Sequence, residues 1–94
     1  MFVVVVEFTI APESFDDFLR RVKQQAADSL DLEPDCHVFD VCTSPERANL
    51  VLLYEVYTGA AAFQLHLDSE HFHAFDQEVT PWVTDKKVQT YQRQ

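Results

Sequence analysis

Glycine occurs once in this 94-residue chain, at Gly59. A single glycine excludes a dinucleotide-binding turn and a phosphate-cradling loop, since both need several positions where backbone approaches phosphate without a Cβ. Positive charge is also scarce. Seven Lys and Arg stand against sixteen Asp and Glu, a net charge of −9, which repels nucleic-acid phosphates and anionic lipid heads, so no nucleic-acid partner is expected. No apolar run approaches the roughly 20 residues that cross a bilayer. The opening residues lack the basic flank and cleavage site of a signal peptide, so a cytoplasmic chain without membrane association is expected. Cys36 and Cys42 are the only cysteines. On a shared strand they would sit about 20 Å apart, beyond disulfide reach, which fits a reducing compartment.

What is plentiful is apolar. Hydrophobic residues make up 47% of the chain, with eight Phe, three Tyr and one Trp, so a packed core is expected, within one domain spanning residues 1–94. Phe2 to Ile10 alternates and is rich in β-branched residues, which predicts a first strand. Both its faces are apolar apart from Glu7 and Thr9, as in a central strand covered on two sides. Pro12, Glu13 and Ser14 read as a helix start; Phe15, Phe18, Leu19, Val22 and Ala26 then recur at helical spacing, to about Leu30. The acidic stretch Asp31 to Asp35, with Pro34, reads as a loop. Cys36 to Thr43 and Asn49 to Tyr57 read as a hairpin turning at Ser44 to Arg47. Gly59 opens a second helical region carrying Ala62, Phe63, His66 and Leu67. Ser69 interrupts it, Phe72, Phe75 and Val79 continue it, and Pro81 ends it. Val83 to Gln92 reads as a last strand with one wet face.

The order β-α-β-β-α-β has a known solution, a four-stranded antiparallel sheet with its helices on one face. The third strand is apolar on both sides, so the other sheet face needs a cover. Pairing of two sheets in a homodimer supplies one.

Glu7 and Glu55 sit inside apolar strands, where a carboxylate needs a donor or an upward pKa shift. His66, His71 and His73 invite a metal reading, but intervals of five and two spread imidazoles around a continuous helix, so no metal is expected. His66 falls on the apolar stripe, either as a satisfied core histidine or as a base. Phe39, Phe63, Phe72 and Phe75 are candidates to line an apolar pocket. From Gln24 to Glu78 the only Lys or Arg is Arg47, which disfavours a strongly anionic substrate.

Glu55-Val-Tyr57, Ala62, His66-Leu67, Ser69, His71-Phe72 and Phe75 together resemble the antibiotic biosynthesis monooxygenase-like family. The shared pattern is E-x-[WY], an alanine-bearing helical turn, then H-L-x-[ST]-x-H-[FM]-x-x-[FY]. The resemblance implies an α+β, ferredoxin-like protomer, a dimeric α+β barrel and an apolar cavity between sheet and helices. It also implies a small cofactor-independent monooxygenase acting on an apolar phenolic or enolisable substrate, with no cofactor. In that chemistry His66 removes a proton, Glu55 orients it, and Tyr57 or His71 donates to the developing oxyanion. An isomerase or retro-aldol enzyme on a small carbonyl metabolite, and a non-catalytic dimeric binder of a small ligand, use the same residues and stay open.

Overall fold

In the computed structural model, which describes residues 1–94, strand β1 (Phe2–Ile10) leads through a 3₁₀ turn (Pro12–Ser14) into helix α1 (Phe15–Leu32). Strands β2 (Cys36–Thr43) and β3 (Leu50–Tyr57) form a hairpin; helices α2 (Ala60–Asp68) and α3 (Glu70–Val79), a 3₁₀ turn (Thr80–Trp82) and strand β4 (Val83–Gln92) complete the chain. The four strands lie antiparallel in the order β2-β3-β1-β4. The fold is therefore α+β and ferredoxin-like, with the β-branched opening strand in a central position.

Alternation assigns the two sheet faces. Val4, Val6, Phe8 and Ile10 of β1 and Val51, Leu53 and Tyr57 of β3 join Phe18, Val22 and Ala26 of α1 and Phe75 and Val79 of α3 in one buried cluster. Register places Val3 opposite Val56, Val5 opposite Tyr54, Glu7 opposite Leu52 and Thr9 opposite Leu50 on the other face, outside that cluster. Glu7 there is half-buried, 3.7 Å from the Arg47 guanidinium. No helix is long and apolar enough to cross a membrane.

Two local features shape the polar end of the molecule, the first a departure from the sequence reading and the second the break expected at Ser69. First, α1 runs to Leu32 rather than Leu30, shortening the expected Asp31–Asp35 loop to three residues. The Glu33 N–H still reaches back to the Ser29 carbonyl at 3.1 Å. Pro34 then forces its predecessor out of helical geometry, and Glu33 is extended at φ −112, ψ 103. Second, the later helical region is two helices. Ser69 is extended (φ −72, ψ 150); its hydroxyl accepts from the Phe72 N–H at 3.2 Å and donates to the His66 carbonyl at 2.7 Å. One side chain thus closes α2 and caps α3.

Candidate functional site

Between the sheet and the three helices lies a pocket. Phe39, Phe63, Phe72 and Phe75 lie on its wall with Gln25, Glu55, His66 and Lys86. Its inner room is about 40 Å³, enough for about three waters or a comparably small group. Lys86 and Val88 stand at the side of β4; both are exposed and mark the mouth.

His66, on α2, is buried at 3% exposure. Rings of Phe39, Tyr57, Phe63 and Phe72 surround it at centroid distances of 5.1 to 6.1 Å. Its Nδ1 lies 2.8 Å from Glu33 Oε2. Its Nε2 makes no hydrogen bond, and its ring lines the pocket. Burial lowers the His66 pKa, against a smaller opposing pull from the Glu33 hydrogen bond and charge. The imidazole is thus neutral at neutral pH. With Glu33 accepting from Nδ1–H, a lone pair is left on Nε2.

The expected pairing of His66 with Glu55 does not form. Glu55 is 2% exposed, and its Oε1 accepts the Tyr57 hydroxyl at 2.6 Å. Desolvation pushes its pKa to about 7, the Tyr57 hydrogen bond pulling down and the Glu33 charge pushing up. Near neutrality Glu55 is partly protonated, able to donate from the oxygen Tyr57 leaves free. Tyr57 is fully buried and does not line the pocket; burial and then Glu55 raise its pKa far above the ordinary phenol value. Its hydroxyl donates to Glu55, which places Tyr57 as that carboxyl's partner behind the pocket wall.

His71 is placed similarly. Its ring is not part of the pocket wall; Nδ1 contacts Gln25 Nε2 at 3.1 Å and Nε2 lies 2.7 Å from Glu33 Oε2. An interval of five separates His66 from His71 only along one continuous helix. The break at Ser69 re-aims α3 and brings both imidazoles to one carboxylate oxygen, the three donor atoms lying within 4.8 Å of one another. His73 is exposed, and His37 bonds the Thr58 hydroxyl at 2.7 Å away from the site.

Glu33, Gln25 and Lys86 went unread in the sequence. Gln25 and Ser29 carried a signal, since they follow Phe18 and Val22 at heptad spacing and are 1% and 0% exposed. Glu33 looked like one of several solvated acids; only Pro34 hinted that its backbone leaves the helix. Lys86 sits on a strand whose helix-side residues the helices do not cover, a tertiary fact with no local signature.

The sequence profile of the family described as Antibiotic biosynthesis monooxygenase matches residues 1–78. No curated protein matches the chain. Among solved structures, a provisionally named antibiotic biosynthesis monooxygenase from Nitrosomonas europaea superposes with TM-score 0.93 at 21% identity, covering 99% of this chain and 98% of its own. One from Caulobacter crescentus gives TM-score 0.95 at 19% identity, over 99% and 89%. A Pseudomonas aeruginosa protein gives TM-score 0.89 at 22% identity, over 99% and 93%. These likenesses establish the fold, and the profile match, together with the Glu55 to Phe75 pattern, establishes that the chain belongs to the antibiotic biosynthesis monooxygenase family.

Proposed function

We propose that the protein is a cofactor-independent monooxygenase acting on a small apolar phenolic or enolisable substrate, as a homodimer joined through the uncovered sheet face. The observation that carries this reading is His66: buried, held at Nδ1 by Glu33 at 2.8 Å, with Nε2 unpartnered and the ring on the wall of an aromatic pocket. That is the arrangement of an oriented general base. Nε2 takes a proton from the activated carbon. The Lys86 ammonium and protonated Glu55, both on the pocket wall, stabilise the resulting anion. The carbanion adds oxygen to form a C–OO⁻ peroxide, which takes the proton back from the imidazolium. Loss of water across the O–O and remaining C–H bonds leaves a carbonyl. One O₂ and one CH₂ thus give one C=O and one H₂O, with no external reductant. The inner room of about 40 Å³ suits oxygen and the reacting carbon, with the rest of the substrate in the mouth. Val5, Leu52 and Tyr54, half-exposed on the free sheet face, support dimerisation; a mass near 10.9 kDa by light scattering at micromolar concentration would remove that part.

Oxygen uptake against a panel of phenols and enolisable ketones tests the chemistry. His66→Ala should lower turnover about 100-fold or more while circular dichroism stays native. Uptake untouched by His66→Ala sinks the assignment. Deuterium incorporation at the substrate α-carbon without oxygen uptake would instead assign the same groups to an isomerisation or retro-aldol step. Saturable binding without turnover of any kind would leave a small-ligand binder.

A further inference from the structure

We propose that Glu33, His66 and His71 form a binding site for a divalent first-row transition-metal ion, ligated through Glu33 Oε2, His66 Nδ1 and His71 Nε2. The three donors come from separate elements: the C-terminus of α1, α2, and the first turn of α3. They are fixed independently. Pro34 sets the backbone of Glu33, and the Ser69 break sets the angle between the histidine helices.

Distance permits an ion: Glu33 Oε2 lies 2.8 Å from His66 Nδ1 and 2.7 Å from His71 Nε2, and the three donor atoms lie within 4.8 Å of one another, although hydrogen bonds span the same separations. Direction is what points to an ion rather than to protons alone. His71 Nε2 is buried without a hydrogen bond although Glu33 Oε2 is 2.7 Å away, so the oxygen lies off the axis along which a ring N–H would donate. Two electron-rich atoms at that separation repel unless a cation lies beside both. Hydrogen bonding accounts for the His66 contact but not for this one.

The surroundings suit a ligating histidine. Such a ring usually donates its second N–H to a carbonyl or carboxylate, and His71 Nδ1 lies 3.1 Å from the amide end of the buried Gln25. Which amide atom faces the ring is an assignment the two ends can exchange. With the carbonyl turned inward, Gln25 accepts from Nδ1–H and frees the Nε2 lone pair. Two imidazoles and one carboxylate on one side of an ion leave its other positions for water or a small ligand, and the chain's net charge of −9 favours cations.

The site does not depend on His66 acting as a base. An ion on Nδ1 leaves the proton on Nε2, so a metal-loaded chain cannot use His66 as a base, and occupancy and that activity exclude each other at His66.

The test is titration of the chelator-treated full chain with Co²⁺, read by visible d–d absorption and calorimetry. Saturation at one ion per chain is expected. Glu33→Gln and His71→Ala should each weaken binding on the order of 100-fold, Gln25→Leu by about tenfold, and His37→Ala not at all. Should a variant fail to fold, Co²⁺ shifts of the His66 and His71 ring protons in the wild-type chain give the same answer. No saturable absorption, affinity unmoved by both ligand variants, or paramagnetic shifts confined to His37 and His73 would overturn the site, whatever the outcome of the oxygen assays.

Discussion

At one end of the layer between sheet and helices, Ile10, Phe18, Val22 and Val79 fill the space with hydrocarbon alone. At the other end lie Gln25, Ser29, Glu55 and His66, the only four buried polar residues of the chain, beside Tyr57. Burying polar groups opposes folding unless each finds a partner, whereas burying hydrocarbon favours it by about 25 cal/mol per Å². The two ends therefore do different work. The dry end stabilises the fold by burial alone, and the polar end is held by its pairings, Glu55 with Tyr57 and His66 with Glu33. Within the polar end the two carboxylates differ again. Glu55 has a phenol for a partner and a pKa raised to about 7, while Glu33 faces two imidazoles.

The largest expected effect lies at the dry end. Phe18 is fully buried, its ring 5.1 Å from Phe8 and 6.3 Å from Phe75. Phe18→Ala should cost roughly 3 to 5 kcal/mol in denaturant unfolding, by the same amount at pH 5 and pH 8, since nothing titratable is touched. A loss under about 1 kcal/mol, or a strongly pH-dependent one, would break the contrast between the ends.

A smaller effect, with the opposite pH behaviour, belongs to Glu55. Its folded value of about 7 lies above the 4.5 of the free side chain, so between those pH values the folded state holds more protons than the unfolded. Its contribution is fully present below pH 4.5 and is lost as pH rises through about 7, a swing of about 3 kcal/mol. His66, with its lowered pKa, acts in the opposite sense, losing stability as pH falls below the free-imidazole value of 6.5. Comparing Glu55→Gln with wild type cancels that histidine contribution. The amide of the Glu55→Gln variant still accepts from Tyr57 but does not titrate, so the variant's melting temperature should gain on wild type steadily from pH 4.5 to 7. A constant difference across that range would mean that Glu55 is not the buried titrating group.

The dry end was almost wholly legible in the sequence, because period-2 and period-3.6 apolar patterns directly encode which side faces the core. Strand limits, the hairpin and the Ser69 interruption all follow from such local signals. The polar end was half legible. His66 on the apolar stripe and the four phenylalanines could be named from spacing, and the structure places all of them on the pocket wall. The partners could not. Glu33 and Glu55 are both acids near apolar segments, and which one meets His66 depends on how the C-terminus of α1 passes over α2, a long-range relation no local pattern carries. The interval that sets His71 apart from His66 holds only for an unbroken helix, and the break at Ser69 was itself readable.

Ser69 also sets the smallest predicted effect and links the two ends. Its hydroxyl accepts from the Phe72 N–H and donates to the His66 carbonyl, yet it is only half-buried and is not one of the core residues. Ser69→Ala removes a helix N-cap, a loss of about 1 kcal/mol, which in a domain of this size lowers the melting temperature by roughly 4 to 8 °C. Ser69→Thr keeps a capping hydroxyl and should recover most of that. If local capping, rather than core packing, holds α2 and α3 at their angle, Ser69→Ala should also loosen the histidine pair, visible as broadened His66 and His71 ring resonances, while Phe18 stays unchanged. Broadening that spreads equally to Phe18 would mean the two ends unfold as one unit. Sharp histidine signals with only the expected drop in melting temperature would show that Glu33, not Ser69, fixes the imidazoles.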